Sequence, residues 1–238
     1  MTARTFTTAV LLAAVTGGGW IAGVGVRARS AITEVAVTGL ADSGVAAESG
    51  IRLGETEAVS GPGADRGVPV LRIFGDYECP ACRALEREAG DSLRLLAEAG
   101  LITLVYHHRP LSTHPRGSLA AEVAYCGAAD GHGSAVHAAL LASVDRWPGA
   151  TDPLLVMLDA VGSSVPSRAA LVMCVSDGRT VDRVDGDRRL AESLGVTAVP
   201  SVFLDAARVE FRTYAALLGH VTRKSARAAK ARAVTTGS

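Results

Sequence analysis

The sequence contains few aromatic residues and no excess of charge of either sign. Phe, Trp and Tyr make up 4% of its 238 residues, so a core must be built mainly from Ala, Val and Leu. Because 24 basic side chains balance 24 acidic ones, no global field attracts nucleic acid. The length suits one domain of roughly 150 to 200 residues with appendages, or two small domains.

The sequence also lacks a second closely spaced pair of cysteines. The four cysteines are Cys79, Cys82, Cys126 and Cys174. A zinc site with four cysteine ligands would need two close pairs, but Cys126 and Cys174 stand 48 positions apart, and His107 and His108 do not have ligand-like spacing. The pattern therefore favours a redox pair over half a zinc site, and we expect neither a metal nor a bound cofactor.

The N-terminal segment contains the longest uncharged run. The 22 residues from Thr5 to Val26 carry no charge, and Arg4 and Arg27 flank them. About 20 helical residues cross a bilayer, whereas a signal-peptide core is usually roughly 7–15 residues long. We interpret residues 1–28 as a membrane anchor or a signal segment, with the uncleaved anchor favoured. Either interpretation places the rest of the chain outside the cytoplasmic membrane.

Residues 29–67 have neither aromatic residues nor a sustained hydrophobic period of 2 or 3.6. They are rich in Gly, Ala, Ser and Glu, which is typical of flexible linkers. We therefore predict a flexible tether between the N-terminal segment and a compact domain.

The compact domain is predicted to begin near Val68 with a strand, a helix and a second strand. Apolar runs predict strands over 69–74 and 101–106, and residues spaced by three and four predict a helix over 80–99. This order gives a right-handed parallel unit with Cys79 at the carboxyl end of the first strand. Active groups of α/β sheets gather at that end.

The second half of the domain, residues 115–195, reads almost entirely as helix. Helices are predicted over 118–129, 134–143, 153–161, 166–176 and 180–194. Strands over 201–204 and 208–211 and a last helix from Thr213 follow, and residues 223–238 form a basic tail. The predicted architecture is therefore an α/β, thioredoxin-like fold with a helical insertion, spanning residues 68–222.

The pair Cys79 and Cys82 has the spacing of a labile disulfide at a helix start. Pro80 at the first helical position loses no hydrogen bond, and unpaired N–H groups there stabilise a thiolate at Cys79. Cys82 lies almost one turn later and is expected to be more buried, as the resolving thiol. Asp76 and Glu78 add negative charge that opposes thiolate formation.

Several motifs resemble those of one known family. The stretch from Phe74 to Cys82, Phe-x-Asp-Tyr-x-Cys-Pro-x-Cys, is similar to the active-site signature of DsbA-type thiol-disulfide oxidoreductases, which have a thioredoxin fold. The resemblance spans roughly residues 68–211. It continues in 106–111, in His114-Pro115 with Ala120-Ala121 and Cys126, in 137–140 and in 194–203.

The resemblance implies further site residues. Pro200 would be a cis-proline facing the cysteine pair, and the backbone of Val199 would bind an extended substrate. Related proteins often join helices of the insertion by a second disulfide, which favours a structural bridge between Cys126 and Cys174 over two buried thiols. The sequence departs from the family at residues 205–207, where Asp-Ala-Ala replaces an Asn-Gly turn and predicts a short or irregular last strand.

These features predict a membrane-tethered, extracytoplasmic thiol-disulfide oxidoreductase. Cys79 and Cys82 would be catalytic, and the substrates would be exported proteins that carry thiols. The expected partner is a quinone-linked membrane oxidase, and we expect a monomer without nucleic acid. Two alternatives remain open: a reductase or isomerase, for example in cytochrome c maturation, and a non-catalytic peptide-binding module. The dipeptide Pro-Ala between the cysteines lacks the His of the most oxidising members, so it does not decide the direction of electron flow.

Overall fold

The structure, a computed structural model, describes residues 32–37, 50–54 and 67–236. They form a six-stranded mixed sheet with the order β1-β6-β5-β3-β4-β2. The strands are β1 Ile32–Ala36, β2 Ile51–Arg52, β3 Val70–Gly75, β4 Thr103–His108, β5 Ser201–Leu204 and β6 Ala207–Phe211.

The central strands of the sheet, β3, β4 and β5, position the candidate site. β3 and β4 are parallel, with Ile73 opposite Tyr106, and β5 runs antiparallel on the other side of β3. Because Phe74 at the end of β3 pairs with Ser201 at the start of β5, the loops after β3 and before β5 meet at one edge. This edge is where the sequence predicted the active groups.

The helices of the described residues agree closely with those predicted. The label α1 denotes Pro80–Leu85, α2 Asp91–Glu98, α3 Gly117–Ala129, α4 Gly133–Ala142, α5 Pro153–Val161, α6 Arg168–Ser176, α7 Val181–Ser193 and α8 Tyr214–Thr236. α3 to α7 are the helical insertion, and each begins and ends within two residues of its predicted bounds.

The helix predicted over 80–99 is not uniform. A π-helical turn, Glu86–Gly90, separates α1 from α2. The predicted inner face is present, because Leu85, Ala89 and Leu93 are all buried. The spacing of apolar residues could not reveal the wide turn, since it preserves that face.

The prediction of a flexible tether over residues 29–67 was wrong at residues 32–36 and 51–52, which form strands. β1 pairs antiparallel with β6, and β2 pairs antiparallel with β4, so both extend the sheet at its edges. Ile51 and Leu53 are 2% exposed and belong to the main core. The strands depend on partners more than 50 positions away in the sequence, which local periodicity does not show.

The last hairpin is regular, contrary to expectation. β5 and β6 pair through the two-residue turn Asp205-Ala206, and Asp205 takes a positive φ of 56°. Asp tolerates this conformation better than most residues, and its carboxylate accepts the Val70 N–H at 2.8 Å.

The predicted tail also differs from expectation, because α8 extends through most of residues 223–238.

No helix in the described ranges has both the length and the apolarity needed to cross a bilayer. The predicted anchor or signal segment, residues 1–28, lies outside those ranges.

Candidate active site

Cys79 caps the helix that follows β3. Its backbone is extended (φ −76°, ψ 120°), Pro80 is the first helical residue, and the Cys79 carbonyl accepts the Arg83 N–H at 3.1 Å. Cys79 is 7% exposed, but Pro80 and Ala81 beside it are exposed. The thiol therefore lies at the boundary between the core and the protein surface.

The two thiols differ strongly in acidity. Hydrogen bonds from the Cys82 side chain and from the N–H groups of Cys82 and Ala81 lower the pKa of Cys79 to about 6, although burial and Asp76 oppose them. Burial, together with the hydrogen bond to Cys79 and the charge of that residue, raises the pKa of Cys82 well above its ordinary value. Cys79 is thus the thiolate and Cys82 the protonated partner.

Asp76 organises the loop between β3 and α1. Its buried carboxylate accepts the N–H of Glu78 at 3.0 Å and that of Leu111 at 2.8 Å, and it bonds His114 Nδ1 at 2.7 Å. Its own N–H donates to Cys82 Sγ at 3.5 Å. Asp76 therefore joins the loop of the cysteine pair to the loop after β4, while its charge opposes the Cys79 thiolate.

The loop before β5 completes the site. The peptide bond between Val199 and Pro200 is cis, and the Val199 carbonyl oxygen lies 3.6 Å from Cys79 Sγ. Both residues are half-buried, and Thr197 and Ala198 before them are exposed. An extended peptide can therefore reach the backbone of this loop beside the reactive sulfur.

These features agree with a family match. Residues 61–222, more than half of the chain, match the model of a family described as thioredoxin. The chain belongs to this thioredoxin family. No curated protein matches it.

Solved structures that resemble this chain include DsbA and DsbG proteins. Oxidised DsbA from Mycobacterium tuberculosis is 25% identical with a TM-score of 0.59, and the match covers 74% of this chain and 93% of that one. A reduced disulfide bond oxidoreductase, DsbG, from the same organism is 25% identical, with a TM-score of 0.60 and coverages of 77% and 91%. BdbD from Bacillus subtilis, at 15% identity, a TM-score of 0.58 and coverages of 75% and 94%, shows the fold alone.

The comparisons confirm three predictions about this thioredoxin-family chain: its fold, its resemblance to DsbA-type proteins and its enzyme class, thiol-disulfide oxidoreductase. They do not test the roles of the individual residues.

The other two cysteines are joined to each other. Cys126 in α3 and Cys174 in α6 form a disulfide with their Cα atoms 5.9 Å apart. Cys79 and Cys82 are free thiols. The bridge ties together two helices of the insertion.

Sequence reasoning missed a buried polar cluster behind the site. Asp187 in α7 is completely buried and accepts hydrogen bonds from the His107 and His108 rings and from the Tyr125 hydroxyl. Tyr77, two residues before Cys79, bonds His108 Nε2 at 3.4 Å. The sequence showed histidines at the end of β4, but the surrounding pattern gave no sign that a charged residue of α7 reaches them.

Among the described residues, no group of three or more His, Cys, Asp or Glu side chains is arranged to hold a metal ion. The chemistry that the site supports is carried by sulfur.

Proposed function

We propose that the chain exchanges disulfides with exported proteins through Cys79 and Cys82. One observation carries the proposal: the acidic thiol of Cys79 stands at a helix start, against the cis-proline loop, with a buried second thiol beside it. Thiol–disulfide exchange needs a sulfur that attacks or leaves as a thiolate and a second sulfur that resolves the mixed disulfide.

In the oxidised enzyme, a substrate thiolate attacks Cys79 Sγ and breaks the bond to Cys82, whose sulfur takes the electron pair. A second substrate thiolate then attacks the substrate sulfur of the mixed disulfide, and Cys79 leaves as a thiolate. The low pKa of Cys79 makes it a good leaving group. The Val199 backbone beside Pro200 would hold the substrate peptide extended during both steps.

The test measures oxidation of a reduced protein substrate by the unaltered chain and by three variants. Cys79→Ser should abolish oxidation. Cys82→Ser should also abolish oxidation of the reduced substrate, because it cannot form the redox disulfide. Given a substrate that already carries a disulfide, Cys82→Ser should accumulate a mixed disulfide on Cys79, because the Cys79 thiolate displaces one substrate thiolate and no resolving thiol remains. The control is His220→Gln. His220 lies on α8 and pairs with Glu34 of β1, so this variant should act like the unaltered chain. Unchanged activity in Cys79→Ser removes the proposal.

One observation favours the opposite direction of electron flow, in which the protein reduces or isomerises substrate disulfides. A pKa of about 6 for Cys79 lies closer to the value near 7 of thioredoxin, a reductant, than to about 3.5 in the strongly oxidising DsbA. We therefore expect a reduction potential between about −120 and −270 mV. A potential near the lower bound would assign the chain as a reductase or isomerase.

The location and partners of the chain also belong to this proposal. Residues 1–28 would hold the domain at the outer side of the membrane, where thiols of exported proteins emerge. A quinone-linked membrane oxidase would reoxidise Cys79 and Cys82. Retention of function by the double Cys79→Ser, Cys82→Ser variant would instead indicate a peptide-binding module.

A further inference from the structure

Cys82 must exchange a proton whenever the redox disulfide opens or closes. Its side chain is 3% exposed, and its raised pKa keeps it a thiol in the reduced enzyme. When the bond to Cys79 breaks, the electron pair moves to a sulfur that lies inside the protein. A group near that sulfur must therefore supply the proton and remove it in the reverse step.

A cavity of about 20 Å³ lies against Cys82. This volume is enough for one water molecule. Apolar side chains make up most of its lining, and the ionisable side chains that share it with Cys82 are Glu86, Arg94, Tyr106 and His137.

His137, in α4, is held on both sides of its ring. Nδ1 lies 3.0 Å from the Tyr77 hydroxyl, and Nε2 lies 3.5 Å from Glu86 Oε2. The Tyr106 ring packs against the imidazole at 4.4 Å between centroids. The imidazole is therefore fixed at the cavity wall with a carboxylate at one nitrogen.

Glu86 lies between this cavity and the surface. With Arg94 it also lines a surface recess of about 450 Å³, where Arg87 and Asp91 are exposed. The π-helical turn begins at Glu86, and Gly90 at its end leaves room for the carboxylate, because a methyl group there would overlap Glu86 Oε2. The backbone after the cysteine pair thus places a carboxylate with one side toward the cavity and the other toward solvent.

We propose that His137 is the proton carrier of Cys82 and that Glu86 is the residue that positions it and connects it to solvent. The inference rests on the proposed function. When substrate attack breaks the Cys79–Cys82 bond, the Cys82 sulfur takes the proton of the His137 imidazolium, directly or through one water in the cavity. In the reverse step, neutral His137 removes the Cys82 proton as that sulfur attacks Cys79 Sγ and releases the substrate thiolate.

The other groups that face His137 are poorly suited to this role. Burial alone would raise the pKa of Glu86, but His137 and Arg94 outweigh it and lower that pKa to about 2, so the carboxylate stays ionised. Burial raises the pKa of Tyr77 and of Tyr106 well above the ordinary value, so neither hydroxyl releases a proton. Arg94 remains a cation.

His108 also faces His137, through Tyr77, but burial lowers its pKa. Its Nδ1 bonds Asp187 at 3.0 Å. His108 is therefore held in place by Asp187, in the cluster that holds Tyr77, and burial disfavours its charged form.

The test follows a small chromogenic aromatic disulfide, which releases one coloured thiolate at each of two steps. The Cys79 thiolate displaces the first and becomes a mixed disulfide. Cys82 then loses its proton, attacks Cys79 Sγ and displaces the second. Rapid mixing of the full-length, reduced chain separates the two releases over a range of pH.

His137→Gln should slow the second release by about 100-fold and leave the first unchanged. In the unaltered chain the second release should rise with pH and then level off. In His137→Gln it should rise in proportion to hydroxide. Glu86→Gln should slow the second release less, and the matched variants Tyr106→Phe and His220→Gln should leave it unchanged.

Three outcomes would overturn the inference: equal rates in His137→Gln and the unaltered chain, equal slowing of both releases, or selective loss of the second release in Tyr106→Phe. If His137→Gln does not fold, the pH profile of the unaltered chain decides, because a second release proportional to hydroxide throughout excludes a histidine carrier. Absence of the first release in the unaltered chain would instead remove the proposed function itself.

Discussion

The acidity of Cys79 results from hydrogen bonds that act against burial and a like charge. Donors from Cys82 and Ala81 stabilise the thiolate, whereas Asp76, which the loop needs for its hydrogen bonds, destabilises it. The largest single contribution comes from the Cys82 side chain. The resolving thiol therefore also sets the reactivity of the nucleophile before any exchange takes place.

A pair of variants at Cys82 separates these two roles. Cys82→Ala removes the donor and should raise the pKa of Cys79 from about 6 toward the ordinary thiol value of about 8.5. Cys82→Ser keeps a hydroxyl donor and should raise it less. The rate of alkylation as a function of pH measures both values. Equal pKa values in the two variants would contradict the assignment of the shift to this hydrogen bond.

At the scale of elements, the carboxylate of Asp187 joins the insertion to the sheet. It lies on α7 and bonds His107 and His108 of β4 and Tyr125 of α3. Burial alone would raise the pKa of Asp187, but the hydrogen bonds and charges of the two histidines outweigh it and lower the pKa below its ordinary range. A buried carboxylate with this many donors is costly to remove, since the donors lose their acceptor together.

Asp187→Asn should lower the free energy of unfolding by about 3–5 kcal/mol at neutral pH. Because the folded-state pKa lies below the unfolded value of about 3.9, the contribution is fully present above that pH and is lost as the pH falls through the folded-state pKa. The difference between variant and unaltered chain should therefore shrink below about pH 4. Denaturant unfolding at several pH values measures it.

The matched control is Asp185→Asn. Asp185 lies on the same helix, and its partly exposed carboxylate pairs with Arg188 at 2.8 Å. Loss of this ion pair should lower the free energy of unfolding by at most about 1 kcal/mol. Equal costs at the two positions would show that burial of Asp187 is not the source of its contribution.

The Cys126–Cys174 disulfide joins α3 to α6 across 48 positions. Closing a loop of this length stabilises a fold by about 4 kcal/mol in the chain-entropy model. The double Cys126→Ala, Cys174→Ala variant should lose about that free energy of unfolding and keep the exchange reactions of Cys79 and Cys82. Under strongly reducing conditions the variant and the unaltered chain should become similar, and a difference that persists would point to packing instead.

At the scale of the whole molecule, both edges of the sheet come from the segment that precedes β3. β1 covers the edge of β6, and β2 covers β4, which carries His107 and His108. The N–H of Gly50 donates to the Tyr125 hydroxyl at 2.8 Å. Residues 32–36 and 51–52, which the sequence placed in a tether, are therefore part of the folded domain.

A chain that begins at residue 67 tests this point. It lacks β1, β2 and the buried side chains of Ile51 and Leu53, each worth about 1.5–3 kcal/mol. We expect a lower free energy of unfolding and weaker protection of the β4 and β6 amides in hydrogen exchange. A chain that begins at residue 38 should lose protection in β6 alone. If both truncations match the full chain, the strands contribute nothing to the fold.

Local patterns predicted much of the fold and singled out Cys79 and Cys82 as the candidate redox pair. Glycines and prolines mark the ends of the insertion helices, and short-range spacing of apolar residues defines their faces, so five helices could be placed within two residues of their bounds. The pair Cys79 and Cys82 could be found because a helix start gives that spacing its chemistry. The edge strands could not be found, because their hydrogen-bond partners lie far away in the sequence.

The amino-acid sequence by itself determined the order of elements from β3 to α8, the spacing of Cys79 and Cys82 at a helix start and the family, since these depend on short-range spacing. Tertiary structure alone decided the burial of Asp187 and the contact of His137 with Glu86. It also decided the pairing of residues 32–36 and 51–52 with the edges of the sheet. The physical reason is that a side chain's charge state and hydrogen bonds depend on neighbours brought together by packing. A polar residue such as Asp187 has the same local sequence whether its helix turns it toward solvent or toward two histidines.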